Sequence, residues 1–393
     1  MLILVAPGQG AQSPGFLTPW LEIEGFRERL EWLGACADLD LVHYGTEAGA
    51  DEIRDTAVTQ PLLVASALVS AVTLFPHPVD AFRRIGAVAG HSVGEIAAAA
   101  GAGVISAEQA MVFVRERGRA MADAARREPT SMVAVLGGDK DTVLAKLDEY
   151  GLTPANVNGA GQVVAAGSVA ALDKLKSDPP EGARLRPLQV AGAFHTAYMA
   201  TAVDGLQRYA AAITTKDPRT RVLSDLDGGV VHSGTELIGR LVEQVAQPVR
   251  WDLVMDTMKD LGVTAVIEMP PAGTLTGMIR RALPKVETLA LRTPADLEAA
   301  KRLVQEHGEA SPLENNPTWR LVIAPQAGTF RRGDAEPGAA LAAGTPIGTL
   351  VSRRDDLPVT ARHGGTVVEW LVEDGDPVSP GQPLVRLHPE VSS

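Results

Sequence analysis

The pentapeptide Gly90-His-Ser-Val-Gly94 places a serine between two glycines, directly after an apolar run and at the start of an alanine-rich stretch. That context turns a Gly-x-Ser-x-Gly string into a nucleophile elbow, a strand-to-helix turn so tight that side chains two before and two after the serine must be nearly absent. Ser92 Oγ then stands exposed at the strand's carboxyl end, above a helix N-terminus that favours nearby negative charge. The chemistry this permits is acyl transfer through a serine ester. The bland alternative is a serine capping a buried helix. A serine nucleophile needs a base, and of the eight histidines His195, in Gly192-Ala-Phe-His-Thr196, is the best placed. Taken alone, a histidine beside Phe194 is more often a packed core residue; taken with the elbow, the catalytic reading wins. His91 adjoins Ser92, but a sharp turn points neighbouring side chains apart. Gly8-Gln-Gly10 invites a phosphate-loop reading, yet no Gly-Lys-Ser/Thr follows. No His/Cys/Asp cluster shows metal-ligand spacing.

These groups must be held by elements that the sequence patterns announce. Leu2–Ala6 and Ile85–Ala89 read as buried parallel strands, Glu95–Gly101 and Ala107–Ala125 as helices, and Val222–Leu226 and Val263–Met269 as further strands. Strand–helix alternation of this kind predicts an α/β layer fold with a parallel sheet. Between about 130 and 190 the texture changes. Met132–Leu136, Gln162–Ala166 and Arg186–Val190 are strand-like and Lys140–Tyr150 and Ala170–Ser177 helix-like, which suggests an inserted ferredoxin-like subdomain with one strand unplaced. Residues 309–318 read as a polar, Pro-containing linker after a 1–308 domain. From 319 to 393 helix periodicity gives way to short apolar runs punctuated by Gly and Pro, an all-β module. It repeats internally: shifted by 37 positions, Ala324-Pro-Gln-Ala-Gly-Thr329 meets Ala361-Arg-His-Gly-Gly-Thr366, Gly338 meets Gly375 and Gly344 meets Gly381. Neither copy could cover its own apolar face, so the two are expected to pack as a sandwich.

Length and composition set outer limits. At 393 residues the chain fits two or three domains, with 45% hydrophobic and 21% charged residues in a globular range. A net charge of −12 argues against nucleic acid or anionic membrane as a partner. The single cysteine, Cys36, excludes an internal disulfide framework. Met1–Pro7 lacks a signal peptide's positive flank, and Pro61–Phe75 is too short for a membrane span, so a soluble cytoplasmic protein is expected.

Gly8-Gln-Gly-Ala-Gln12, Gly90-His-Ser-Val-Gly-Glu95, Arg117-Gly-Arg-Ala-Met121, Asn156-Val-Asn-Gly-Ala-Gly-Gln162, Gly192-Ala-Phe-His195 and Gln244 before Pro-Val-Arg-Trp251 occur in order. Together they closely resemble the malonyl-CoA:acyl-carrier-protein transacylases of type II fatty-acid synthesis, especially the actinobacterial ones, over about residues 1–308. The resemblance implies an α/β-hydrolase-like core and malonyl transfer from malonyl-CoA to the phosphopantetheine thiol of acyl carrier protein. It assigns Ser92 as nucleophile and His195 as base, oriented by the main-chain carbonyl of Gln244. It draws the oxyanion hole from the N–H groups of Gln12 and Val93, and gives Arg117 the malonyl carboxylate, with Met121 and Phe194 in the pocket. Phe194 and Val93 favour malonyl over methylmalonyl. Glu268-Met-Pro-Pro-Ala-Gly-Thr274 departs from the family's Gly-Pro turn. The module at 319–393, through Gly375-Asp-Pro-Val-Ser-Pro-Gly-Gln-Pro-Leu384, resembles a biotinyl/lipoyl domain. That family hangs its group from a lysine at the hairpin here occupied by Ser352–Leu357, and no lysine follows Lys301. The expectation is therefore no cofactor: no biotin, no lipoate, no metal. A serine hydrolase shares the elbow but would place an acid before a late histidine, and a carrier or scaffold protein built on the β module is the rival from another class.

Overall fold

The computed structural model describes residues 1–188, 190, 192–308, 320–352 and 355–388. The chain divides into two compact units, Met1–Ser311 and Pro312–Ser393. The expected linker, 309–318, lies outside the described residues.

Among its described residues the first unit contains ten strands: β1 (Leu2–Ala6), β2 (Ala87–Gly90), β3 (Thr130–Gly137), β4 (Thr153–Gly159), β5 (Gln162–Ser168), β6 (Ala183–Pro187), β7 (Arg221–Leu223), β8 (Val230–Val231), β9 (Ala265–Glu268) and β10 (Glu287–Ala290). Six form the central sheet, in the order β10-β9-β1-β2-β7-β8. The expected parallel sheet needs one correction: β8 pairs antiparallel with β7, so the sheet is mixed. β8 is two residues long and follows β7 by a short turn, a connection too short for a parallel crossover. β1 is a continuous apolar run because both faces are covered. Leu2, Leu4 and Ala6 join one core with the helices Thr56–Leu74 and Ala107–Ala125. Ile3 and Val5 join the opposite core with Trp251, Val254 and Leu275. Among the described residues, Thr56–Leu74 is the one helix long and apolar enough to cross a membrane, and most of it is buried inside the protein.

Ala107–Ala125 begins at a capping box, Ser106 with Gln109, and runs hard against Thr56–Leu74. Gly118 permits that approach, since a Cβ there would lie 3.0 Å from the carbonyl oxygen of Thr56. Inserted between this helix and β7 is a second, antiparallel sheet ordered β4-β5-β3-β6. Lys140–Glu149 and Val169–Ser177 bury Leu147, Leu172 and Leu175 with Val133, Val135 and Val163 of that sheet. The strand the sequence does not place is β4. Its Thr-Pro-Ala-Asn-Val-Asn-Gly string alternates poorly and carries two asparagines, which are depleted in strands generally.

The second unit holds β11 (Arg320–Ile323), β12 (Gly328–Arg332), β13 (Ala340–Leu341), β14 (Thr345–Val351), β15 (Asp356–Ala361), β16 (Gly365–Trp370), β17 (Pro377–Val378) and β18 (Pro383–His388). Two four-stranded sheets form, β11-β18-β16-β13 and β15-β14-β12-β17. The 37-residue register carries β11 onto β15, β12 onto β16, β13 onto β17 and β14 onto β18, so each sheet takes two strands from each copy. Core positions coincide under the same shift: Phe330 with Val367, Leu341 with Val378, Ile347 with Leu384 and Leu350 with Leu387 are all buried.

Candidate active site

The elbow forms as its glycines require. A Cβ at Gly90 would lie 2.0 Å from the carbonyl carbon of Gly94, and one at Gly94 would lie 2.2 Å from the carbonyl oxygen of Ala6. Between them Ser92 adopts φ 53, a left-handed conformation costly for a residue with a Cβ. Helix Gly94–Gly101 follows at once. Ser92 N–H donates to Asp225 Oδ2 at 2.6 Å, which holds the strained main chain in place.

His195 is buried on a second left-handed residue, φ 60, with its N–H donating to the Val245 carbonyl at 3.0 Å. Its Nε2 lies 2.7 Å from Ser92 Oγ, and its Nδ1 lies 2.7 Å from the main-chain oxygen of Gln244. A carbonyl oxygen can only accept, so Nδ1 carries the hydrogen and the Nε2 lone pair faces the serine hydroxyl. Burial, then the neighbouring Arg117 charge, holds the imidazole down to about 3, and the ring is neutral and able to take a proton.

Arg117 projects from Ala107–Ala125 and is fully buried. Nη1 donates to Gln60 Oε1 and Nη2 to Gln244 Oε1, both at 2.8 Å, while Nη2 also reaches Ser92 Oγ at 3.4 Å. Nε has no partner. Desolvation pulls this guanidinium down to about 10, against the attraction of Asp225 and Glu95. It remains a cation, and an unpaired buried cation is a site for an anion.

Over Ser92 opens a cavity of about 220 Å³ lined in part by Gln9, Val93, Met121, Phe194 and His195. Met121, Phe194 and Val93 thus line the same cavity as Ser92 and His195. Gln12 does not line it. Its side chain is spent on the Gly10 N–H at 2.8 Å and the Ile53 carbonyl at 3.1 Å, and Gly10, at φ 101, turns the chain away. Gln9, three residues earlier, lines the wall instead, as does Val93. Val93 precedes Gly94–Gly101, where N–H groups have no intrahelical acceptor. His91 points away from the hydroxyl, to Asn158 Oδ1 at 2.9 Å and the Trp251 ring.

The Pro-Pro departure at 270–271 leaves the site intact. Glu268 accepts from the N–H groups of Thr274, Leu275 and Thr276 and from the Thr276 hydroxyl at 2.8–3.1 Å, anchoring helix Thr274–Ala282 at the cavity rim. Sequence reasoning missed Gln60, Asp225 and the part played by Glu95. Gln60 had a signal, a lone amide at the head of an otherwise apolar helix; Asp225 had none. Folding also brings ligand atoms of Glu287, Glu306 and His307 within 4.8 Å of one another, a grouping invisible in sequence spacing that contains none of the residues around Ser92.

A family model described as acyl transferase domain matches residues 4–306. The malonyl CoA-acyl carrier protein transacylase of Mycobacterium tuberculosis strain H37Rv is 50% identical over 303 residues, 77% of this chain and 100% of that protein. The crystal structure of MCAT from the same species superposes with TM-score 0.74 at 50% identity, covering 77% of this chain and 99% of that one. A type II polyketide acyl-carrier protein bound to its malonyl-transacylase gives TM-score 0.70 at 27% identity, covering 77% and 99%.

Proposed function

This chain belongs to the acyl transferase family over residues 4–306, and from that premise we propose that Ser92, His195 and Arg117 carry its reaction, malonyl transfer from malonyl-CoA to an acyl carrier protein. The activity is the one named for relatives 50% identical across their whole length. The observation that supports these residues best is the meeting on one oxygen: Ser92 Oγ lies 2.7 Å from a neutral imidazole and 3.4 Å from a buried guanidinium. A base and an anion-binding cation at the same nucleophile suit an acyl group that itself carries a carboxylate.

The steps follow from that arrangement. Ser92 Oγ attacks the thioester carbon while His195 Nε2 takes the hydroxyl proton. The N–H group of Val93 receives the oxyanion. The C–S bond breaks, His195 returns the proton to the leaving CoA sulfur, and the malonyl ester remains with its carboxylate on Arg117. In the second half His195 takes the proton of the carrier's phosphopantetheine thiol, the sulfur attacks the ester carbon, and Ser92 regains its proton as the C–O bond breaks. The main-chain oxygen of Gln244 keeps the ring in the required tautomer throughout. No cofactor enters either half.

The first unit's two sheets fit an α/β-hydrolase-like core carrying a ferredoxin-like insertion. The second unit fits a degenerate biotinyl/lipoyl-like sandwich: its support is the 37-residue register, and its hairpin between β14 and β15 offers no lysine amine for an amide. Intact-protein mass spectrometry after mixing with malonyl-CoA, acetyl-CoA and methylmalonyl-CoA separately tests the reading. Malonyl should add to Ser92 stoichiometrically, and label on another residue, or full activity in Ser92→Ala, would sink the mechanism.

A further inference from the structure

Two buried carboxyl groups lie behind the Ser92–His195 pair and take no part in the steps above. Asp225 Oδ2 accepts from the Ser92 N–H at 2.6 Å and from Gln244 Nε2 at 3.1 Å. Glu95 Oε2 accepts from the same Gln244 nitrogen at 2.6 Å. Gln244 therefore faces both ways: its side-chain amide rests on two carboxyl groups, and its main-chain oxygen holds His195 Nδ1. In a serine–histidine–aspartate triad, a carboxylate bonds Nδ1 directly and stabilises the imidazolium that forms. A neutral carbonyl supplies the hydrogen bond here but not the charge.

We infer that Glu95 and Asp225 act as a joint positioning pair that supplies, one residue behind Gln244, the negative charge absent from the His195–carbonyl contact. The pair holds one proton between its two members at neutral pH, because two full charges on one amide nitrogen cannot both persist in desolvated space with one guanidinium nearby. Burial is the main cause lifting both groups above the carboxylate range, Glu95 to about 7, and mutual repulsion adds to it at Asp225. The charged and titratable groups facing the pair are Arg117, Arg240 and, across Gln244, His195 with His91 beyond it. At rest Arg117 is charged, bonded directly only to neutral groups, and His195 is neutral. When Ser92 passes its proton to His195, the pair's single charge opposes the new imidazolium's repulsion from Arg117. Asp225 Oδ1, buried with no hydrogen-bond partner among the described residues, keeps part of that charge uncommitted.

This inference rests on the Ser92–His195 reading, and its test separates the two. Single-turnover rates of Ser92 acylation at saturating malonyl-CoA would be measured from pH 5.5 to 8.5 for the full chain, Glu95→Gln, Asp225→Asn and the double variant, with thermal melts alongside. Either isosteric single leaves the other carboxylate to carry the charge and should lose rate modestly; the double has no charge left. The double should fall about 10–100-fold below the product of the two single effects, coupling of the size found for groups in one network. In the wild type the rate should climb across neutrality as the pair gives up its last proton, and that climb should vanish in both singles. The pH readout stands even if the double variant does not fold. Multiplicative effects in a folded double, or a neutral-pH climb that survives in both singles, would overturn the inference while leaving the nucleophile assigned. Wild-type protein that acquires no malonyl on Ser92 would instead overturn the underlying reading.

Discussion

Arg117 spends its fork on two neutral amides, and among the described residues no carboxylate bonds it directly. The anion it lacks is the substrate's. Arg117→Ala should lose malonyl transfer and gain relatively on acetyl-CoA, since a neutral acyl group no longer meets an unpaired buried cation; an unchanged malonyl-to-acetyl ratio would remove Arg117 from the site. Replacing the base, His195→Ala, should slow acylation by about 10²–10⁴-fold, read by rapid-quench mass spectrometry. His195 also links stability to pH. Its pKa falls from 6.5 to about 3 on folding, so the unfolded chain binds a proton that the folded one refuses. The stability it contributes is whole above pH 6.5 and drains as pH falls towards 3. The difference in unfolding free energy between wild type and His195→Gln should therefore change by up to about 1.4 kcal/mol per pH unit in that window, to the wild type's loss on acidification. A flat difference in urea titrations at pH 6.5, 5.5 and 4.5 would show that the ring is not buried neutral. At this scale the sequence revealed the groups whose chemistry is fixed by a turn or a motif: Ser92 between its glycines, His195 behind Ala-Phe. It gave Gln12 a place at the oxyanion, yet two glutamines flank Gly10 and it is Gln9 that lines the cavity. Asp225 was hidden because it meets Ser92 across 133 positions of sequence, a contact no local pattern reports.

Elements were legible where one period dominates. Ala107–Ala125 was readable to the residue, and β1 from its unbroken run. Strand ends drifted by two or three residues, as at β7, which stops at Leu223 instead of Leu226 because the chain turns at Ser224–Gly229. The antiparallel β8 escaped notice because two residues carry no period. Helix Thr274–Ala282 poses a test of its own, since its first turn hangs on one carboxylate. Glu268 is fully buried and fills four donors. Glu268→Ala should cost about 1–3 kcal/mol by leaving buried N–H groups unsatisfied, with a weaker site as the cavity rim loosens. Urea unfolding measures it, and a change within about 0.5 kcal/mol, the range of ordinary surface substitutions, would show that the helix is held by its apolar face alone.

At the scale of the whole molecule, each unit has its own core, and every residue given a role in transfer lies in the first. Residues 1–308 alone should fold and retain malonyl self-acylation. If the second unit serves carrier docking, its removal should raise KM for the carrier protein and leave that for malonyl-CoA unmoved; if it is an appendage, neither should move. An insoluble or inactive truncation would mean one folding unit. Protein purified from a biotinylating host should carry no prosthetic mass, and any found beyond Lys301 would refute the degenerate-domain reading.

Ser92 and His195, the two ends of the proton transfer, both stand on left-handed backbone. Function and durability are therefore set against each other at the same two positions. A screen for heat resistance at position 92 would reward glycine, which relieves the turn and abolishes the ester. Compared with Ser92→Ala, equally dead but still strained, Ser92→Gly should be the more stable by about 1 kcal/mol. Selection for activity has kept here a residue that selection for persistence alone would discard.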